Sequence, residues 1–128
     1  MIIWTNGCFD VLHKGHVELF KYAKSLGNKL IVGIDSDNKV KRDKGETRPI
    51  NTEMDRKLVL EAIKYIDQVV VFDTIYGLEM AIKKCFPDIM VIGSDWEGKP
   101  IIGSEHAKKV VFFDRIPGYS TTEILNGK

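Results

Sequence analysis

Ile2-Ile3-Trp4-Thr5 is followed by Asn6-Gly7-Cys8-Phe9-Asp10-Val11-Leu12-His13-Lys14-Gly15-His16, and then by the stretch Val17 to Leu26. The first piece is a β-branched apolar run, and the last places apolar residues at helical spacing. The order therefore predicts a strand, a glycine-containing turn and an amphipathic helix. The start of a helix offers unpaired N–H groups and the positive end of its dipole. Gly7 and Gly15 would let the backbone approach a ligand closely. His13 and His16 could hydrogen-bond oxygens that gain negative charge. Together these features predict a phosphate site.

The alternation continues along the chain. Leu30–Ile34, Val69–Phe72, Ile89–Ile92 and Val110–Phe113 join Ile2–Thr5 as strand candidates. Most are near-continuous apolar runs, as expected of parallel strands covered on both faces. Helix candidates lie between them at Val17–Leu26, Met54–Ile66 and Leu78–Phe86, the second opened by Thr52-Glu53-Met54-Asp55, which resembles a capping box. The rhythm predicts an α/β fold with a doubly wound, parallel, five-stranded sheet in a single domain over residues 1–128. Such sheets bind ligands at the carboxyl ends of their strands. The signature turn, Asp35–Asp37, Gly93–Gly98 and Asp114–Thr122 all follow strands and would collect there. Ser36 to Thr52 is the longest non-periodic piece. It carries Lys39, Lys41, Arg42, Lys44 and Arg48, and is expected to be a basic loop closing over an anionic ligand.

Composition bounds the function. A hydrophobic fraction of 44% and a charged fraction of 29% describe an ordinary globular chain. A net charge of +1 gives no global case for nucleic acid, and the basic residues lack interleaved aromatics. There is neither a bilayer-spanning run nor the pattern of a signal peptide, so a cytoplasmic location is expected. Cys8 and Cys85 form neither a disulfide framework nor a metal motif, and no metal ligands are assigned.

Gly7-Cys8-Phe9-Asp10 followed by His13-Lys14-Gly15-His16 resembles the signature of the small nucleotidyltransferase superfamily. The resemblance runs from Thr5 to about Ile124 and implies a Rossmann-like domain. It also implies that a phosphorylated small molecule attacks the α-phosphorus of a nucleoside triphosphate, with pyrophosphate leaving. Catalysis would be positioning and charge neutralisation. His13, His16, Lys44, Arg56 and Arg115 are then the expected catalytic residues, with Lys41 and Arg48 as further loop cations. Gly7, Cys8, Phe9, Asp10, Gly15, Gly93, Asp95, Trp96, Ser120 and Thr121 are expected to bind the nucleotide. Asp67 matches the family as well and reads as a turn residue. Mg²⁺ would arrive with the triphosphate, and a homodimer is implied.

Two segments point to different substrates. Asp95-Trp96-Glu97-Gly98-Lys99 and Arg115 resemble glycerol-3-phosphate cytidylyltransferases, and because the later segments read the base, they tilt the expectation slightly to CTP. Lys41 to Asn51 resembles heptose-1-phosphate adenylyltransferases, which use ATP. A nucleotide-binding module without turnover is the alternative from another class, although the intact pair of histidines argues for an enzyme.

Overall fold

A computed structural model describes residues 1–114. Five strands form one parallel sheet: β1 (Ile2–Gly7), β2 (Lys29–Asp35), β3 (Gln68–Phe72), β4 (Ile89–Gly93) and β5 (Lys109–Phe113), in the spatial order β3-β2-β1-β4-β5. The helices are α1 (Lys14–Ser25), α2 (Asp37–Lys44), α3 (Glu53–Glu61) and α4 (Ile75–Cys85). This is the doubly wound arrangement the alternation predicts and the Rossmann-like domain the resemblance implies. Among the described residues, no helix is long and apolar enough to cross a membrane.

Strand alternation sorts the core into two layers. Ile3, Leu30, Val32, Ile34, Ile89 and Val91 face one side, where they meet Phe20 and Ala23 of α1 and Leu60 of α3. Trp4, Ile31 and Met90 face the other, against Leu78 and Ile82 of α4. Each such fully buried side chain contributes about 1.5–3 kcal/mol of transfer free energy. Trp4 is completely buried, and a Cβ at Gly33 would lie 2.5 Å from its Cζ2, so the neighbouring strand must carry glycine there.

The chain winds outward from β1 to β2 and β3, then returns to β4 and β5, so the topological switch point falls between β1 and β4. Their ladder is short, pairing Ile3 with Ile89 and Trp4 with Met90. One residue on, the Thr5 hydroxyl donates to the Val91 carbonyl oxygen at 2.7 Å. A side chain thus spans the gap where the ladder ends, at the strand ends that face a ligand in this architecture.

One expectation needs correction. Residues 37–44, expected within a loop, form α2. Only Val40 of this helix is buried, so no apolar periodicity marks it. Ser36 caps it, its hydroxyl accepting from Lys39 N at 3.1 Å, and Lys39 pairs with Asp43 at 2.7 Å and Asp35 at 3.5 Å. Basic Lys41, Arg42 and Lys44 fall in its last turn, where the helix dipole favours cations. Asp67 fits its reading as a turn residue: its carboxylate accepts from Leu30 N at 2.7 Å and pairs with Lys24.

Candidate active site

β1 runs two residues further than expected, carrying Asn6 and Gly7 into the signature, and α1 begins at Lys14. His13 is the N-cap of α1. Its Nδ1 accepts from Gly15 N at 3.0 Å, and His16 Nδ1 accepts from His13 N at 3.2 Å, completing a capping box made of two imidazoles. A ring nitrogen that accepts cannot carry the proton of a neutral imidazole, so Nε2 is the N–H of each neutral ring. The rings are tilted by 31° to one another, with centroids 3.9 Å apart. Burial and the neighbouring His13 push the His16 pKa down to about 4, so His16 is a neutral hydrogen-bond donor near pH 7.

Phe9 supports this pair. Its ring packs edge-on against His16, with centroids 5.4 Å apart, and against Phe20 at 5.2 Å. Phe9 holds a positive φ of 50°, a left-handed conformation that costs energy in a bulky residue. A Cβ at Gly7 would lie 3.1 Å from that ring, so Gly7 makes room for the aromatic floor.

A cavity of about 440 Å³ opens at the switch point. Of the expected residues, Gly7, Cys8, Lys44, Gly93 and Trp96 line it. Asn6, Asp35, Lys39 and Asp43 also line it, on the polar side. Trp4 Nε1 donates to Asn6 Oδ1 at 2.8 Å and fixes the amide. The far wall is apolar, formed by Ile75 and Leu78 of α4, Ile92, and Ile101 with Ile102. A polar side carrying Lys39 and Lys44 together with Asp35 and Asp43 faces an apolar and aromatic side, which suits a ligand with a polar end and a flat ring. His13, His16 and Gly15 are not among the lining residues; they belong to the adjoining turn and the start of α1.

Several expected roles change. Asp95 stands exposed beside Trp96 and does not line the cavity. Asp10 is buried and holds residues 48–51 in place. Its carboxylate accepts from Arg48 Nε at 3.2 Å, Ile50 N at 2.7 Å and Asn51 N at 2.8 Å, and its carbonyl accepts from Asn51 Nδ2 at 2.6 Å. Arg48 is therefore engaged by Asp10, and Lys41 lies outside the lining, which among the described residues leaves Lys44 and Lys39 as the cations at the cavity. Asp35 and Asp43, its carboxylates, both pair with Lys39.

Arg56, expected to be catalytic, lies away from the main cavity. It is 2% exposed and points inward. Its Nε donates to Asn51 O at 3.1 Å, Nη1 to Cys8 O at 2.9 Å and Asp35 O at 2.7 Å, and Nη2 to Asp37 Oδ1 at 2.9 Å. Phe9, Asp10 and Arg56 line a second hollow of about 100 Å³ instead of the main cavity. Arg56 is a strut that joins the signature, the end of β2 and the approach to α3. Burial raises the Cys8 thiol above its ordinary value, so it remains protonated and is no nucleophile near neutral pH. Arg115, Ser120 and Thr121 lie outside the described residues.

Comparison with known proteins fits this architecture. Residues 4–126 match the family model described as cytidylyltransferase-like. The chain is 45% identical over 125 residues to a bifunctional protein HldE from Campylobacter fetus, and 50% identical over 126 residues to one from Helicobacter pylori. These alignments cover 98% and 97% of this chain but 27% of each relative, so the chain spans about a quarter of their length. Among solved structures, the lipopolysaccharide core biosynthesis protein from Thermoplasma volcanium superimposes with a TM-score of 0.69 and 26% identity, covering 94% of this chain and 98% of that one. Pantoate-beta-alanine ligase from Francisella tularensis superimposes with a TM-score of 0.67 at 14% identity, over 99% of this chain and 65% of that one, a likeness of fold.

Proposed function

This chain belongs to the cytidylyltransferase-like family, and from that premise we propose that it transfers a nucleotidyl group from a nucleoside triphosphate to a small phosphorylated sugar or polyol, releasing pyrophosphate. The observation that carries the reading is the imidazole pair. Both Nδ1 atoms are held by backbone N–H groups at the start of α1, beside a cavity with lysines on one side and an apolar wall on the other. His13 and His16 present Nε2–H to phosphate oxygens as the bond to the leaving group breaks. Lys44 neutralises the triphosphate, while Lys39 stays paired with Asp35 and Asp43. Trp96 and the isoleucines receive the base. No covalent enzyme intermediate is involved, so catalysis is alignment and charge stabilisation. Mg²⁺ arrives on the triphosphate, held by phosphates and water; pairing of both cavity carboxylates with Lys39 accords with that.

For the donor we rank ATP first, with a sugar phosphate of the heptose 1-phosphate type as acceptor. Residues 41–51, the stretch that resembles heptose-1-phosphate adenylyltransferases, fall inside the alignments to the HldE proteins. That stretch is also tied into the signature by Asp10. CTP with glycerol 3-phosphate is the second reading, favoured by the Trp96 segment at the cavity wall. A single catalytic domain over residues 1–128, acting as a cytoplasmic homodimer, completes the proposal.

Pyrophosphate release with Mg²⁺ tests it, with ATP and CTP each set against heptose 1-phosphate and glycerol 3-phosphate. Release with ATP and the heptose supports the first ranking. Release with CTP alone reverses it. Nucleotide binding with silence in all four mixtures points to an untested acceptor or to a binding module.

A further inference from the structure

Away from the signature, α4 and the turn after the cavity wall bring three metal-ligating side chains together. Glu79 stands in α4, and Glu105 with His106 occupies the short 3-10 turn Ser104–His106. One ligand atom from each lies within 4.8 Å of the others. His106 Nε2 is 3.5 Å from Glu79 Oε1 and 3.5 Å from Glu105 Oε1, and the His106 side chain is only 19% exposed. We propose that Glu79, Glu105 and His106 form a site for one Zn²⁺ ion.

The spacing carries the argument. Strong hydrogen bonds between nitrogen and oxygen are shorter, about 2.7–3.2 Å. Tetrahedral Zn²⁺ with bonds of about 2.0–2.2 Å places its ligand atoms about 3.3–3.6 Å apart. Both His106–carboxylate separations fall in that range, on the same nitrogen. Glu79 and Glu105 bring two carboxylates to one imidazole nitrogen, and a cation between the three would offset the repulsion of the carboxylates. An imidazole with two carboxylates suits Zn²⁺ better than Mg²⁺, which favours oxygen ligands throughout. The fourth position is left to water.

The site would act as a clamp. Glu79 follows Leu78, and the 3-10 turn follows Ile101 and Ile102; all three of those apolar residues line the main cavity. An ion held between them fastens the apolar wall to α4. The inference does not depend on the proposed reaction.

Equilibrium dialysis of the full chain with Zn²⁺, paired with thermal unfolding, tests it. The expected result is one ion per chain and a rise in Tm of about 4 °C or more at saturation, with no such rise in Mg²⁺. Glu79→Gln and His106→Ala should each weaken binding by more than about tenfold. Glu79 is partly exposed, so its variant retains the fold and controls for damage from His106→Ala. Undiminished binding in both variants would place the ion elsewhere and overturn the proposal. Absence of binding by the unsubstituted chain would also overturn it, leaving only direct contacts among the three side chains.

Discussion

Replacing Arg56 with methionine removes a guanidinium that is 2% exposed and makes four hydrogen bonds. Methionine fills much of the volume, so the loss is mainly polar. Three carbonyl groups lose their donor, and Asp37 loses its ion-pair partner while still accepting from Glu53 N at 2.7 Å. Breaking a buried ion pair costs about 3–5 kcal/mol, because the groups left behind are unsatisfied. Water reaching the half-buried Asp37 carboxylate keeps the figure inside that range. For a chain of this length the loss lowers Tm by about 10–20 °C. Arg56→Lys should recover only part of it, since one ammonium cannot reach Cys8, Asp35 and Asn51 at once. Urea unfolding, with the m-value monitored, measures both variants. A loss below about 1 kcal/mol together with a large rise in KM for the triphosphate would refute the strut. It would show that Arg56 leaves its carbonyls to meet phosphate.

Lys44→Ala should lower kcat/KM for the nucleotide by about tenfold to a hundredfold, with stability changed by less than about 0.5 kcal/mol, since its exposed side chain has no ion-pair partner among the described residues; steady-state kinetics beside urea melts checks both. His16→Ala should reduce turnover by about a hundredfold or more while the chain stays folded, as single-turnover kinetics and circular dichroism would show. The pH dependence has a definite sign. The folded His16 pKa lies near 4, below the ordinary 6.5, so between these values the unfolded chain binds a proton that the folded chain does not. Stability is therefore fully present above pH 6.5 and falls as pH drops from 6.5 towards 4, by about 1–2 kcal/mol once partial exposure is discounted, and His16→Asn should flatten that part of the profile in urea melts. Gly33→Ala drives a methyl group against the Trp4 ring and should cost about 1–3 kcal/mol, seen as a lower urea midpoint.

What was legible in the sequence follows from where the information is local. All five strands were readable because burial on both faces leaves runs such as Leu30-Ile31-Val32 almost purely apolar. The signature was readable because one strand, one turn and one helix start hold all of it. α2 was hidden because Ser36, Asp35 and Asp43 stabilise it through polar contacts, which carry no hydrophobic period. The phosphate role of Arg56 came from the resemblance alone; its inward path depends on carbonyls 21 and 48 residues away. The nucleotide role of Asp10 had the same source, and its observed partners lie 38 to 41 residues downstream. The apolar wall from Ile75, Leu78, Ile101 and Ile102 needs the β4 crossover before it exists at all.

The route taken by Arg56 also limits how far the signature can be moved. Residues 5–16 contain both imidazoles and both glycines, yet the carbonyl of Cys8 in that segment is held from α3, and Asp10 is fixed by residues 48–51. Grafted into another strand-turn-helix unit, the same twelve letters would bring the ligating groups without the scaffold that aims them. A portable version would need at least the chain from β1 through α3, and a peptide ending at Leu26 would carry the whole motif and little of its geometry.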